Sequence, residues 1–351
     1  MISGMGERKE VRLGDIAREL NISIVTVSNA LKDKKGVSSE LRMKIKEKAR
    51  AMGYDFARTA PRKETESYCV GVMIAERYVK EFPSFYMDVY KQIAQVMARK
   101  GSLTLLEIID AEKEKLKYTG EFFPNMKIDG LIFLGEMRID FIREVRKTKK
   151  VPAVGVDFYS LEEDMDYIVS DSLHGMERVT QKLIDAGHRD IMFVGNPYAT
   201  KNIMDRYMGY CKALLINGIG ESKDGVIPDR ENGETGYIID FELPEKIPQG
   251  FAVNCDKAAF LLIEKLRKRG LSVPEDVSVV GFDHTQSPIA GDIALTTYES
   301  DQKALAQISV HTLLKKIGRK DGEDTTAMGI QIVEGRLIEG NTIKERAGRK
   351  R

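Results

Sequence analysis

Three carboxylates and one guanidinium stand where they could bind a small polar molecule. Asp157 ends the apolar run VPAVGVD, Asp256 follows FAVNC, and Asp283 follows VSVVGF. Arg206 lies in DRYMGY, within a predicted helix. Carboxylates accept hydrogen bonds from hydroxyl groups, and a forked guanidinium binds paired oxygens. If these side chains meet in one cleft, their chemistry suits a polyhydroxyl ligand such as a sugar.

Each of these residues has an alternative role. The three aspartates could cap the helices that follow their strands, and Arg206 could form a salt bridge on the surface or between subdomains. Phe85 and Tyr86, two further candidates at the start of a predicted helix, could be core anchors. The chain has no Trp, the ring most often stacked against sugars. The sequence therefore leaves open a sugar, a nucleoside, a sugar acid, or the loss of ligand binding.

Nothing in the sequence marks a catalytic centre. The four histidines are isolated, and no HExxH, Walker A, G-x-S-x-G or strand-linked G-x-G-x-x-G motif occurs. Cys69, Cys211 and Cys255 are far apart, which is typical of reduced thiols and not of a disulfide or zinc framework. We expect no enzyme activity, no cofactor and no metal.

Strands and helices alternate from Tyr68 onward, and this order must position the polar residues. Alternation of this kind predicts an α/β fold with two doubly wound parallel-sheet subdomains. In such sheets a ligand binds beyond the carboxyl ends of the strands. The predicted strands are 69–75, 102–109, 128–134, 151–157, 191–195, 251–255 and 277–282, with helices near 171–186, 204–217 and 256–269.

The first 54 residues predict a separate head of three short helices. The apolar positions Leu13, Ile16, Ala17 and Leu20 recur on one helical face. Ser23 is placed to cap a second helix, and Ser38 or Ser39 to cap a third. Two short helices joined by a tight turn and closed by a third form a helix-turn-helix arrangement.

The second helix has an unusual outer face. At 100° per residue, Val27, Ala30 and Leu31 point inward, while Val25 and Asn29 point outward with Ser28 beside them. Ile24 lies at the margin of the buried face. In a helix-turn-helix the N-terminal residues of this helix meet base edges in the major groove.

The residue types on that face suggest how it would read DNA. Val25 could contact a thymine methyl group and Asn29 could pair with adenine, with Ile24 and Ser28 as further base contacts. Thr26 and Ser23 could bind phosphate oxygens. The alternative is that Ile24 and Val25 pack on a neighbouring domain.

Charge is concentrated in the head. Residues 1–66 hold 15 Lys/Arg and 10 Asp/Glu, a net charge of +5, so the remainder carries −4 of the chain's +1. A basic head on a mildly acidic body is typical of a module that binds a polyanion. A merely Lys-rich surface would give the same balance.

The segment LGDIARELNISIVTVSNALKDKKGVSSELRMKIKEKARAMGY resembles the DNA-binding head of the LacI/GalR family. The matching positions are Asp15-Ile16-Ala17, Thr26-Val27-Ser28, Leu31, Val37-Ser38 and Gly53-Tyr54. The resemblance continues more loosely through nearly the whole chain. It implies a helix-turn-helix head on a periplasmic-binding-protein-like body. The implied function is that of a dimeric transcription regulator, a repressor, with operator DNA and a sugar-like effector as partners.

The resemblance also implies individual roles. Phe85 and Tyr86 match positions where the family contacts effector, and Arg206 matches the Arg of an R-x-x-G-[FY] motif that often fixes an effector hydroxyl or carboxylate. Three positions depart from the family: Asn29 replaces the usual Arg, Cys255 replaces an Asn, and His284 replaces an Asn or Asp. A family-average operator or sugar is therefore not implied.

The linker departs further. In the family a hinge helix carries a Leu that wedges into the minor groove, but here Pro61 follows Ala60 and Lys63 replaces the Leu. Proline inside a helix costs about 3 kcal/mol, so little or no hinge helix is expected. Arg58, Arg62 and Lys63 could instead follow phosphates, or be solvated linker charges.

The domain prediction combines these observations. We expect a head (1–54), a linker (55–67), two subdomains and a basic tail (344–351). The first subdomain comprises 68–159 plus 292–322 and the second 160–291 plus 323–343, because the family resemblance implies three crossings, near 160, 291 and 323. The family pattern also implies dimer contacts on the body, near helices 86–100 and 256–269.

The sequence also predicts where the protein acts. It shows no signal core and no apolar run of about 18 residues, which predicts a cytoplasmic protein without a membrane partner. A solute-binding protein without a role at DNA is the competing interpretation, because the body alone would suit one.

Overall fold

The computed structural model describes residues 11, 13–31, 36–52, 54, 67–80, 84–115, 123, 126–220, 225–231, 238–285, 291–318 and 329–346. The chain forms two compact units, Met1–Ser67 and Tyr68–Arg351. The linker residues Arg58, Arg62 and Lys63, for which phosphate contacts are predicted, lie outside the described residues, as does Pro61.

The first unit contains, in its described part, α1 (Leu13–Leu20), α2 (Ile24–Leu31) and α3 (Ser39–Ala51). Asn21 has a left-handed φ of 53° just after α1. The Thr26 backbone N–H donates to Ser23 Oγ at 3.0 Å, which caps α2, and Ser38 caps α3. The three helices share one core, formed by Ile16, Ala17, Val27, Ala30, Leu31, Ile45 and Ala49. The predicted helix-turn-helix head is confirmed.

The second unit is built on two sheets. Sheet A has the strand order β11-β5-β4-β3-β1-β2 and is parallel throughout. Its strands are β1 (Cys69–Ala75), β2 (Leu103–Ile109), β3 (Gly130–Leu134), β4 (Ala153–Val156), β5 (Asp166–Ser170) and β11 (Ile330–Val333). Sheet B has the order β12-β10-β9-β8-β6-β7, with only β12 antiparallel among its described strands. Its strands are β6 (Ile191–Val194), β7 (Val226–Ile227), β8 (Gly250–Val253), β9 (Ser278–Phe282), β10 (Thr296–Glu299) and β12 (Arg336–Ile338).

Helices cover both faces of each sheet, which is why the strands read as nearly continuous apolar runs. In β3, Phe133 packs in one core with α6, while Ile132 packs in the opposite core with α4 and α10. The helices of this unit are α4 (Phe85–Arg99), α5 (Ala111–Lys115), α6 (Ile139–Lys149), α7 (Ser172–Asp185), α8 (Lys201–Ile216), α9 (Asp256–Lys268) and α10 (Gln302–Ile317). The predicted pair of doubly wound subdomains is confirmed. Within the described part of the chain, no helix is both long and apolar enough to cross a membrane.

The crossings between the sheets lie later in the chain than predicted. Within the described residues the chain leaves sheet A after β5, returns to it after β10 and leaves it again between β11 and β12. The predicted crossings near 160, 291 and 323 each precede a short strand that the apolar pattern did not identify. Because that strand joins the sheet before the crossing, the described elements β1 to β5, α10 and β11 belong with sheet A. The elements α7 to β10 and β12 belong with sheet B.

Candidate ligand cavity and nucleic-acid interface

The outer face of α2 is apolar and open. Val25 is 67% exposed and Ile24 is 55% exposed, whereas Val27, Ala30 and Leu31 are buried. Ser28 and Asn29 lie half-buried along the same helix. The helix therefore presents two branched apolar side chains at its N-terminal end, flanked by polar ones, which is the composition that contacts with base edges require.

Ser23 and Thr26 hold the start of α2 together. Their hydroxyls lie 2.8 Å apart and form one hydrogen bond, while Ser23 Oγ also accepts the Thr26 backbone N–H. Only one of the two hydroxyl protons is used in this bond. The other can be donated to a phosphate oxygen without breaking the cap.

A cavity of about 140 Å³ lies at the carboxyl ends of strands from both sheets. Five of the residues predicted to bind a ligand line it, which are Phe85, Tyr86, Asp157, Arg206 and Asp283. The sixth, Asp256, is absent from its lining. The two sheets thus bring together side chains that are up to 198 positions apart in sequence (from Phe85 to Asp283).

Asp157 is a buried acceptor on the sheet A side. It follows β4 with a left-handed φ of 59° and is 2% exposed. Ser170 Oγ donates to it at 2.7 Å, Tyr86 Oη at 3.1 Å and Asn202 Nδ2 at 3.0 Å. Burial raises the pKa of Asp157 above its ordinary value, although Arg206 and the hydroxyl donors offset part of that effect. The carboxylate is held in place by its partners and does not cap a helix.

Arg206 is the central donor on the sheet B side. It is 6% exposed and projects from α8. Its Nη1 donates to the Asn254 carbonyl at 2.6 Å and its Nη2 to Asp283 Oδ1 at 3.1 Å, while the guanidinium lies 3.9 Å from the Phe282 ring centroid. Its Nε is buried with no hydrogen-bond partner among the described residues. Arg206 thus lines the cavity, and its salt bridge is buried within the sheet B subdomain, unlike the surface or inter-subdomain bridge of the alternative.

The Asp256 side chain is buried in the sheet B subdomain, against β10. It is 1% exposed, and Thr297 Oγ1 and the Thr285 backbone N–H donate to its two oxygens at 2.7 and 2.8 Å. Burial raises its pKa well above the usual value. This carboxylate ties the loop after β9 to the start of α9, so its contacts are those of a structural residue.

Phe85, Tyr86 and Tyr78 form an aromatic wall of the cavity, in which the rings pack together and a hydroxyl group forms a hydrogen bond. The Tyr86 ring lies 4.5 Å from that of Tyr78 and 5.3 Å from that of Phe85, centroid to centroid. Burial raises the pKa of Tyr86 well above 10, so its hydroxyl remains a neutral donor to Asp157. Phe85 and Tyr86 thus pack in the core and line the cavity.

Sequence reasoning missed several polar residues of the cavity, among them Asn254, Asn202 and Arg230. Asn254 directly follows β8, so the rule that identified Asp157 and Asp283 would have found it. Asn202 lies one helical turn before Arg206 on α8 and donates to both Asp157 Oδ2 and the Asp157 carbonyl, the latter at 2.6 Å. Arg230 follows β7, a strand of two residues that no pattern predicts.

Further contacts join the two subdomains at the rim of the cavity. Lys201 donates to the Glu136 carboxylate through its backbone N–H at 2.9 Å and through Nζ at 3.1 Å. Tyr159 Oη donates to Asp205 at 3.3 Å. With the Asn202–Asp157 pair, these contacts connect the two subdomains directly.

The cavity is lined by polar side chains that can donate and accept hydrogen bonds. Among the described residues, no group of three or more His, Cys, Asp or Glu side chains could hold a metal ion. Burial raises the pKa of the Cys255 thiol to about 11, so the thiol stays protonated near neutral pH. Donors and acceptors surround the cavity, but no activated nucleophile is formed by its described residues.

A profile of the periplasmic-binding-protein-like domain matches residues 180–343. The curated relatives that match cover nearly the whole chain. The HTH-type transcriptional regulator IpsA of Corynebacterium glutamicum is 30% identical over 349 residues, covering 90% of this chain and 94% of the relative. The HTH-type transcriptional repressor PurR of Glaesserella parasuis is 24% identical over 325 residues, covering 91% and 94%.

Solved structures share the fold. The lac repressor dimer bound to operator and the anti-inducer ONPF superimposes with a TM-score of 0.60 at 20% identity, covering 96% of this chain and 100% of that chain.

Proposed function

The chain belongs to the LacI/GalR family of transcription regulators, and on that premise we propose that it is an operator-binding repressor controlled by a polyhydroxyl effector. The effector binds in the cavity between sheets A and B. The head binds double-stranded operator DNA through α2, and two copies of the chain act together.

Two unpaired polar atoms carry the proposal for the effector. Arg206 Nε and Asn254 Oδ1 are buried without a partner among the described residues, and both side chains line the cavity. An unpaired buried polar group costs about 1–3 kcal/mol. One is a donor and the other an acceptor, and a hydroxyl group can satisfy both kinds. A ligand with several hydroxyls would therefore complete the hydrogen bonding of this site.

The proposal for DNA binding rests on the exposed face of α2 and on the relatives. Val25 and Asn29 occupy the part of the second helix that meets base edges. The curated relatives are named as HTH-type transcriptional regulators or repressors. The structural relative is a dimer on its operator, and a two-fold dimer matches half-sites about one helical turn, or a multiple of it, apart.

The contacts between the two subdomains couple effector binding to the arrangement of the subdomains. A ligand that prefers the closed arrangement shifts the equilibrium between the two subdomain arrangements, and only differential affinity can do this. The contacts between Lys201 and Glu136 and between Tyr159 and Asp205 form in the closed arrangement. The ligand and these contacts therefore act on the same equilibrium.

A thermal-shift screen tests the effector. The full chain is heated with neutral sugars, sugar acids and nucleosides, and a binding compound should raise the unfolding temperature by several degrees. Arg206→Gln should abolish that shift while the chain still retards an operator duplex obtained by in vitro selection. Arg178→Gln is the matched control, because Arg178 pairs with Glu334 at the surface. A chain that binds its operator but responds to no compound in the screen would refute effector control.

A further inference from the structure

Cationic side chains outnumber carboxylates in the lining of the cavity. Arg77, Arg206, Arg230 and Lys257 line it, against Asp157 and Asp283. Three of these cations are paired with protein carboxylates: Arg77 with Glu114, Arg206 with Asp283 and Arg230 with Asp229. Which charges face the ligand depends on how each cation is already bound.

Arg77 is occupied by the protein. It forms two hydrogen bonds with the Glu114 carboxylate, and its Nη2 donates to the Glu136 carbonyl at 2.7 Å. Glu114 is 2% exposed. This pair builds the wall of the cavity and offers little charge to a ligand.

Arg230 is held from one side only. Its Nε and Nη2 donate to the Asp229 carboxylate at 3.1 and 2.7 Å, and Nη2 also approaches Cys255 Sγ at 3.4 Å. Within the described residues, Nη1 has no hydrogen-bond partner. Nη1 therefore keeps two N–H groups, on a side chain that lines the cavity.

Asp229 fixes the guanidinium without meeting the ligand. It is 0% exposed, and the Asn196 backbone N–H and Asn254 Nδ2 donate to it at 3.0 and 2.7 Å. Both carboxylate oxygens are filled, so Asp229 cannot bind a hydroxyl. A saturated carboxylate behind an Arg fixes the guanidinium, so that Nη1 can donate a charge-assisted hydrogen bond to an oxyanion.

The polar network has two chemically different ends. On α8, Asn202 bonds Asp157, and one turn later Arg206 bonds the Asn254 carbonyl. Asn254 in turn bonds Asp229, the partner of Arg230. The network thus runs from Asp157, whose oxygens already accept hydrogen bonds from Ser170, Tyr86 and Asn202, to Arg230, whose Nη1 can donate to an oxyanion. Half-buried Lys257 is a further cation in the lining.

We propose that the effector is an anionic polyol, bearing a carboxylate or a phosphate, and that Arg230 is the residue that selects the anionic group. The inference rests on the proposed effector function of the same cavity and specifies the class of ligand.

Binding of anionic polyols and of their neutral counterparts tests whether the effector is anionic. Binding to the full chain is measured by calorimetry and by thermal shift with D-gluconate and D-glucuronate, with D-glucose 6-phosphate, and with neutral D-glucose and D-sorbitol. At least one anionic compound should bind at least about tenfold more tightly than its neutral counterpart, and added salt should weaken it. D-gluconate and D-glucuronate carry a carboxylate, and D-glucose 6-phosphate carries a phosphate. Comparing their affinities shows which anionic group the cavity prefers.

Substitutions of Arg230, alone and together with Asp229, test whether Arg230 selects the anionic group. Arg230→Gln leaves Asp229 buried without its cation, so the double variant Asp229→Asn/Arg230→Gln is needed to retain the fold. Both variants should lose at least about tenfold in affinity for the anionic compound, and the double variant should unfold near the wild-type temperature. Lys246→Gln, an exposed substitution distant from the cavity lining, is the control and should change neither quantity.

The outcomes separate the two proposals. If neutral polyols bind as tightly as their acids, the inference is wrong while the effector function stands. If the double variant binds the anionic compound unchanged, Arg230 does not select it. If no polyol of either class binds, the proposed effector function fails together with the inference.

Discussion

Val25 and Val27 are identical side chains on opposite faces of α2, 67% and 0% exposed. Val27→Ala removes buried methyl groups and should destabilise the head by about 2 kcal/mol. Val25→Ala should leave stability within about 0.5 kcal/mol but relax base preference at one or two operator positions by about 1–3 kcal/mol. Thermal unfolding and in vitro site selection measure the two effects. Unchanged selected sites in Val25→Ala would show that this face does not read bases.

Asn29 allows a change of specificity to be tested. Asn pairs with adenine through two hydrogen bonds, and Arg pairs with guanine in the same way. Asn29→Arg should therefore move the selected base at one position from adenine to guanine, and Asn29→Ala should leave that position unselective. Competition between duplexes that differ at this position gives the preference. The assignment would be contradicted if both variants kept the wild-type site.

Residues of the cavity could be predicted from the sequence where they directly follow a regular strand. Asp157 and Asp283 follow strands of four or more residues, and the structure places both at the cavity. Asp256 satisfies the same rule, yet its oxygens bond Thr297 and the Thr285 backbone. The sequence alone cannot distinguish these cases, because the outcome depends on a loop and a strand that lie far along the chain.

At the scale of elements, Gly209 sets the distance between α7 and α8. A Cβ atom there would lie 2.1 Å from the Leu173 carbonyl oxygen. Gly209→Ala should therefore destabilise the body by about 3 kcal/mol, although alanine favours a helix over glycine by about 1 kcal/mol. Gly220→Ala is the control, since a Cβ there meets nothing within 4 Å. Urea unfolding measures both, and equal stabilities would contradict the close packing.

The same packing explains a motif. Arg206 reaches the cavity, Gly209 faces α7, and Tyr210 donates to the Ile191 carbonyl at 2.8 Å. The R-x-x-G-[FY] pattern thus joins one cavity-lining residue to two packing contacts. A motif that combines both is visible in sequence, whereas the short strands β5, β10 and β11 were not, because polar residues such as Asp166, Thr297 and Gln331 interrupt their apolar runs.

The His188 side chain contacts the segment that follows β12, through Arg346. Its Nδ1 donates to the Leu183 carbonyl at 2.9 Å, so Nε2 is an acceptor, and it lies 2.9 Å from Ser278 Oγ and 3.3 Å from Arg346 Nε. Burial lowers the pKa of His188 below its unfolded value, so the unfolded chain takes up the proton first. The stabilisation is therefore complete above about pH 6.5 and is lost as the pH falls through the folded pKa.

Urea unfolding of the wild type and His188→Gln at neutral and acidic pH tests this assignment. The wild type should lose more stability on acidification than the variant. An equal loss in the two proteins would mean that His188 does not titrate on unfolding.

For the whole molecule, the charge balance predicts salt-sensitive binding to DNA. The head carries the positive charge, and phosphate neutralisation releases counterions. Affinity for the selected operator should fall about a thousandfold or more between about 50 and about 200 mM salt if the dimer neutralises about six or more phosphates. Electrophoretic mobility titrations across salt give the slope. A flat dependence would contradict binding dominated by phosphates.

The late crossings have a consequence for synthesis. Sheet A is completed by β11, and one of its faces is covered by α10, yet both elements follow nearly all of sheet B in the chain. Sheet A therefore cannot be completed on the ribosome before most of sheet B has been made. The two sheets gain their last strands within nine residues of each other, Ile330–Ile338. The helices of the head end at Ala51, so a chain stalled before Ile330 would carry a complete DNA-binding head on an unfinished body.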